Sequence, residues 1–387
     1  MQGGAKLKKR KVILSLFSVI LSGIFMFTVF SSNAFKAPEQ ANVKIDGVKG
    51  RIYQFGEDIL DKINYPGSQS ENEPQARDVI KVCLGGFPVG LKLYADGVVV
   101  VDTESVDTEN GLVDTAKRAG IKIGDVIKYV NGIRVYTNKE VSDLIEASNG
   151  EEMKLTVIRN GESLELSFSA EFSASENKYK AGMWIRDSSA GIGTVTFCTQ
   201  GKYFASLGHA VCDIDTKQVI PISQGDTTDV SIVNIIKGKS GAAGEICGYL
   251  ESEKTGDVLY NGDLGVYGKF EELPSTQILE IAYADEVEIG EATIFTTLEN
   301  GKTEEFTVQR TSIDKKSQDN KNLIVKITDE NLISKTGGII QGMSGSPIVQ
   351  NGKLVGAVTH VFLNDSTGGY GIFAETMLRN IGEISAE

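Results

Sequence analysis

The sequence is short of several residue types at once, and each shortage excludes something. Two histidines in 387 residues leave no room for a His-rich metal site, so any imidazole chemistry must use His209 or His360. Four cysteines over this length exclude a disulfide-dense scaffold, and none of Cys83, Cys198, Cys212 and Cys247 has metal-ligand spacing. Lys and Arg number 39 against 52 Asp and Glu, a net charge of −13 that argues against a nucleic-acid binder. Only 7 prolines accompany 43 glycines, which suits many tight turns rather than disorder. No residue pattern calls for a cofactor or a metal. The length accommodates two domains, each with its own core.

What is present begins with a membrane signal. Lys6, Lys8, Lys9, Arg10 and Lys11 make residues 1–11 a basic tail that abuts an uncharged apolar run at 12–30. A helix of that length matches the bilayer hydrocarbon core, and the basic flank is expected to stay cytoplasmic. The run reads as a transmembrane anchor, with a cleaved signal ending near Ser32-Asn33-Ala34 as the alternative. Both readings export the remainder. Residues 31–78 carry Pro38, Pro66 and Pro74 and read as a tether with one short helix at 52–63.

Residues 79–172 read as a peptide-binding module. Short strands at 79–83 and 90–94 flank a glycine-rich turn. A helix ending at Gly120 is followed by the Gly124-Asp125 turn, a strand at 126–130 and the hairpin signal Asn131-Gly132. A helix is expected over 137–148, capped by Thr137 or Asn138, with Val141, Leu144 and Ile145 on one face. Residues 173–387 show many short apolar runs and turn signals with little helix before 374, the pattern of a β-barrel or sandwich. The polar stretch 299–322 reads as a solvated hairpin, and Trp184 as a core residue.

Two places in that second region carry chemistry. Gly342-Met343-Ser344-Gly345-Ser346-Pro347 sets a serine on a glycine-flanked turn, where the N–H groups of Gly342 and Ser344 can converge on a developing oxyanion. Upstream, Ser206-Leu207-Gly208-His209-Ala210 offers a general base. His360 lies in a strand behind the nucleophile hairpin and reads as structural or cleft-lining. For the acid that would orient His209, position alone allows Asp213, Asp257 or Asp263.

The first region resembles a PDZ domain through Ala119-Gly120, Ile123-Gly124-Asp125-Val126-Ile127 and Val130-Asn131-Gly132. That resemblance implies an extended peptide added as a strand, its carboxylate received by the loop Phe87, Pro88, Val89, Gly90 and Leu91. The nucleophile motif resembles the chymotrypsin-like serine peptidases, with Met343 in place of their Asp and Ser346 in place of their second Gly. Activation through a new N-terminus pairing with that Asp is therefore not expected. The chain order of anchor, PDZ-like module, Gly-His-Ala motif and serine turn resembles the SpoIVB peptidase family. This implies a PDZ-like domain followed by a chymotrypsin-like double β-barrel. It also implies Ser344 as nucleophile, His209 as base and, fifteen residues before the serine, Asp329 as acid. Members of that family are sporulation proteases anchored in the forespore membrane and exported to the intermembrane space. They cleave themselves and a regulatory protein of the facing membrane, which triggers maturation of a late sigma factor. Two alternatives stand beside this: a non-catalytic adaptor that captures a partner's tail, and an envelope quality-control protease. The latter usually places its PDZ after the protease, the reverse of the order here.

Overall fold

The computed structural model describes residues 77–386, apart from 275, 276, 300 and 318. The expected tail, membrane segment and nearly all of the tether lie outside these residues. Among the described residues, no helix is long and apolar enough to cross a membrane.

Alternating burial along Pro88–Thr103 shows how the first barrel forms. Val89, Leu91, Leu93 and Ala95 point inward, with Lys92 and Tyr94 less buried between the last three. Among the described residues, six strands close a ring. Pro88–Thr103 pairs with Met183–Cys198, and that strand with Tyr203–Ser206. Gly265–Phe270, Glu245–Gly262 and Ile222–Ile236 continue the ring, and the last pairs back onto Pro88–Thr103. The interior is filled by Val89, Leu91, Val195, Phe204, Leu207, Val258 and Val266. Full closure leaves this sheet no open edge.

A second ring of six runs through Gly290–Thr297, Thr303–Ile313, Leu323–Ile327, Gly368–Phe373, Lys353–Val361 and Pro347–Gln350, the last pairing back to the first. Ile294, Phe306, Val308, Val325, Ile348 and Val358 fill it. The polar stretch expected to be a solvated hairpin thus supplies a barrel strand, because Phe306 and Val308 face inward between the polar residues Glu305, Thr307 and Gln309. Lys81–Leu84 and Ile278–Ile281 pair with each other, the first also with one barrel and the second with the other. With the C-terminal helix Ala374–Ala386 they cover a shared core of Leu84, Phe197, Tyr267, Leu354, Ile372 and Met377.

The PDZ-like module is an insertion between two strands of the first barrel. Its core of Val98, Val100, Ile127, Val130, Val141, Leu155 and Phe168 is separate from the barrel's. Its helix Asn138–Ala147 starts at Thr137, whose side chain forms a capping box with Glu140. Asn131 and Gly132 both take positive φ, as the two-residue hairpin requires. The expected boundaries are corrected here. Residues 81–95 belong to the barrels rather than to the module, because their side chains pack and their backbones pair there. The 16-residue strands Pro88–Thr103 and Met183–Cys198 run from module to barrel without a break in the chain between them. Trp184, expected in a core, is 57% exposed on the second of these strands.

Candidate active site

The nucleophile turn is fixed by its carbonyls. Gln341 O accepts from Ile246 N–H (2.9 Å), Gly342 O from the Thr194 hydroxyl (2.6 Å) and Met343 O from Ser346 N–H (2.9 Å). Ser344 O accepts from Thr194 N–H (3.1 Å) and Gly345 O from the Thr196 hydroxyl (2.8 Å). Every carbonyl from 341 to 345 is therefore engaged. The N–H groups of Gly342 and Ser344 are not taken up by any acceptor among the described residues. That is the arrangement an oxyanion site needs. Gly342 and Gly345 both have φ +95°, and a Cβ on Gly345 would lie 2.0 Å from Thr194 O. Met343, where the resembled peptidases carry Asp, is fully buried in the second barrel's core. Packing occupies the place of an ion pair. The Ser344 hydroxyl donates to Thr359 O at 2.8 Å and is nearly buried.

The base loop is held at its shoulders. Leu207 N–H donates to Thr194 O (3.3 Å), and the buried Asn261 side chain bonds both N–H and C=O of Val211 (2.8 and 2.9 Å). Leu207 and Gly208 both take left-handed φ, costly for leucine, so His209 is presented on a strained turn. His209 Nδ1 lies 2.9 Å from its neighbour's carbonyl, Ala210 O. A carbonyl only accepts, so the proton sits on Nδ1 and the lone pair on Nε2, the form a general base requires. Burial pushes the His209 imidazole below its ordinary range, and the Ala210 carbonyl opposes this. The rings of His209 and His360 lie 4.9 Å apart. His360 is held down to about 3, by burial first and then by the charges of His209 and Lys321.

Two expectations are corrected at this level. Asp329, expected to orient His209, caps the helix Glu330–Thr336: its carboxylate accepts from Leu332 N–H (3.0 Å) and Thr307 N–H (3.4 Å). Each of its oxygens accepts from a backbone amide, and His209 Nδ1 lies against the main-chain carbonyl of Ala210. Among the other candidates, Asp213 is buried against Arg186 and the amides of Asp215 and Thr216. Asp257 pairs with Lys254. Asp263 sits in the turn after Glu245–Gly262, where its carbonyl receives Asn320 Nδ2. Phe87, Pro88, Val89, Gly90 and Leu91, expected to receive a peptide carboxylate, enter the first barrel. Pro88 to Leu91 pair with Gly191 to Thr194, and Gly90 and Leu91 also with Thr228 and Thr227. Val89 and Leu91 are sealed in its core, so no edge remains there for a ligand.

The clamp residues Thr194 and Thr196 and the brace Asn261 were not singled out in the sequence. The available signal was two threonines at alternate positions of a strand whose other inward residues are apolar.

A serine on a rigid glycine turn, backed by two available N–H groups and a neutral imidazole on a facing loop, defines a serine endopeptidase carrying a PDZ domain. The chain belongs to the SpoIVB peptidase S55 family, whose model matches residues 177–378, more than half its length; a PDZ domain model matches 115–159. The S55 match begins inside the inserted module, after the first strand of the barrel. The zinc metalloprotease RasP of Shouchella clausii is 38% identical over 82 residues, 21% of this chain and 19% of RasP, so the chain spans about a fifth of that relative's length. Solved structures similar to parts of the chain include the active form of the Rv3671c protease of M. tuberculosis (15% identity, 51% of this chain and 75% of that one, TM-score 0.31). Another is the HtrA-type protease AlgW with a decapeptide (10% identity, 77% and 64%, TM-score 0.33). The PDZ domain of an SdrC-like protein from Listeria monocytogenes aligns over 23% of this chain and 87% of its own (19% identity, TM-score 0.19).

Proposed function

We propose that the chain is an exported, membrane-anchored signalling endopeptidase of chymotrypsin-like architecture. Ser344 is its nucleophile and His209 its general base. The supporting observation is the turn from Gln341 to Gly345, all of whose carbonyls are tied back while the N–H groups of Gly342 and Ser344 are left for an oxyanion. In the resting geometry the Ser344 hydroxyl is bonded to Thr359 O. Attack on a peptide carbonyl requires rotation about χ1, which hands the proton to Nε2 of His209 and releases the Thr359 carbonyl to face the substrate backbone. The substrate oxygen, as it becomes negative, meets the two N–H groups. The leaving amine takes the proton back from His209, and water repeats the sequence on the ester.

The physiological reading follows the family. The catalytic part acts in the space between the two membranes of a developing spore. It cleaves its own tether and a regulatory protein of the facing membrane, and so sets off maturation of a late sigma factor. The PDZ module steers these cleavages by holding a peptide end. Its binding edge is Met183–Arg186, a stretch paired on one side with Val99–Thr103 and flanked on the other by the helix Asn138–Ala147, whose first N–H bonds Asp187.

Ser344→Ala tests the core of this reading. Self-release and casein hydrolysis by the full-length chain should fall at least about a thousandfold. N-terminal sequencing of any shed form reports the cleavage site. Undiminished cleavage would leave the chain a tethering adaptor.

A further inference from the structure

Three consecutive carbonyls separate and flank the two oxyanion donors. Those of Gln341 and Met343, which fix the donor peptides themselves, are held by backbone N–H groups of Ile246 and Ser346. The middle one, Gly342 O, is held by a side chain, the Thr194 hydroxyl at 2.6 Å. The peptide between the two donors, whose N–H donates to Ile340 O (3.1 Å), is thus the one member of the set whose carbonyl a substitution can release. Glycine at 342, with φ +95°, gives that peptide little resistance to rotation. Thr194 is 2% exposed, and its backbone binds both halves of the site: its N–H donates to Ser344 O, and its C=O accepts from Leu207 N–H at the root of the base loop.

We propose that Thr194 is a positioning residue for the peptidase reaction: its hydroxyl locks the Gly342–Met343 peptide so that the N–H groups of Gly342 and Ser344 converge. This rests on the assignment of Ser344 as nucleophile. Met343 gives the turn no ion pair to the rest of the molecule, so the alignment depends on this bond, on the Met343 N–H bond to Ile340 O and on packing. Thr196 is the internal comparison. It makes the same kind of bond, from the same strand, to Gly345 O, which lies beyond both donors. Loss of either hydroxyl strands one buried carbonyl. Only loss of the Thr194 hydroxyl disturbs the oxyanion site.

The test uses the full-length chain with fluorescein-labelled casein and a fluorophosphonate that labels activated serines. Thr194→Val should lower kcat by about 10- to 100-fold, a part of the effect of losing a whole oxyanion donor, with KM within about twofold. Fluorophosphonate labelling should slow in parallel. Thr194→Ser, which keeps the hydroxyl, should return kcat to within about threefold of the parent. Thr196→Val should stay within about threefold in kcat despite a comparable drop in thermal midpoint. Equal losses for the two valine variants would overturn the proposal, as would Thr194→Ser behaving like Thr194→Val. If Thr194→Val unfolds at the assay temperature, Thr194→Cys, of similar volume with a weak donor, takes its place; an unchanged kcat there would also overturn it. Ser344→Ala is run alongside. Retained activity there would remove the nucleophile assignment, whereas a dead Ser344→Ala beside a fully active Thr194→Val removes only the clamp.

Discussion

The two loops that meet at the active site are held in opposite ways. The nucleophile turn is rigid at every peptide: each carbonyl from Gln341 to Gly345 has a partner, and two of those partners are buried threonines on one strand. The base loop is braced at its shoulders, Leu207 and Val211, with Gly208 N–H bonded back to Ser206 O (2.7 Å), and Leu207 and Gly208 are two successive left-handed residues. Burial is the largest influence on the His209 ring, whose Nδ1 leans on the carbonyl of the next residue. Electrostatic preorganisation is therefore built into the oxyanion side. Alignment of hydroxyl with imidazole is left to a side-chain rotation of Ser344 and to what surrounds His209. In this division the costly part of the site is always present, while turnover waits on a small rearrangement of Ser344.

The largest expected effect comes from breaking the rigid half. A methyl group on Gly345 would meet Thr194 O at 2.0 Å and Leu207 N at 2.5 Å, at a φ that disfavours any side chain. Both contacts are backbone and neither can swing aside. Gly345→Ala should abolish casein hydrolysis and lower the thermal midpoint by several degrees at least. A folded, active Gly345→Ala protein would mean that the turn is far softer than its hydrogen bonds imply.

The second effect concerns the acid. If Asp329 oriented His209, Asp329→Asn would lower turnover by orders of magnitude. As the cap of Glu330–Thr336 it should behave differently. Asparagine caps a helix about as well as aspartate, so Asp329→Asn should keep turnover within a few-fold of the parent. Asp329→Ala should cost about 1 kcal/mol of stability, read from denaturant unfolding, with little change in kcat. A collapse of kcat in Asp329→Asn at unchanged stability would show that the base loop recruits this carboxylate during catalysis.

How far the sequence led can be judged from the same residues. The turns that carry Ser344 and His209 and the capped helix at Asn138–Ala147 were legible, because a glycine-flanked serine, a Gly-His-Ala turn and a Thr-x-x-Glu box are local signals. The barrel strands were legible as apolar runs, though not their closure into two rings, which depends on partners far apart in the chain. Phe87 to Leu91 was misplaced for that reason. A glycine-rich turn before an apolar strand looks the same whether the strand joins a PDZ sheet or a barrel, and only its pairing with Met183–Cys198 and Ile222–Ile236 decides. Asp329 illustrates the reverse case. Spacing from Ser344 pointed to it, but an aspartate preceding Glu330-Asn331-Leu332 also reads as an N-cap, and the short helix that uses it was not anticipated. The helix has few apolar positions, so its period is hard to see.

The smallest expected effect probes the base loop through its second imidazole. His360 packs against His209, and the folded protein keeps it neutral down to about pH 3. In the unfolded chain the same ring takes up a proton near its ordinary value of about 6.5. Between these two limits the unfolded state binds more protons, so stability falls as the pH is lowered from about 6.5 toward 3 and is fully present above that window. His209, shifted in the same direction by burial, adds to the slope. In a Ser344→Ala background, which prevents self-cleavage, His360→Phe keeps a ring in the contact and removes the titration. The thermal midpoint of His360→Phe should therefore drop less between pH 7 and pH 4.5 than that of the parent, with the remaining slope due to His209 and the carboxylates. For catalysis the same neutrality matters. In mildly acid solution His360 carries no charge, so it bears on His209 through packing and burial, which hold the His209 imidazole below its ordinary range. With Ser344 intact, His360→Phe keeps that packing and should leave the acid limb of the casein pH–rate profile within about half a pH unit of the parent. An acid limb displaced by more than about one unit would show that the second ring acts on the base by more than packing.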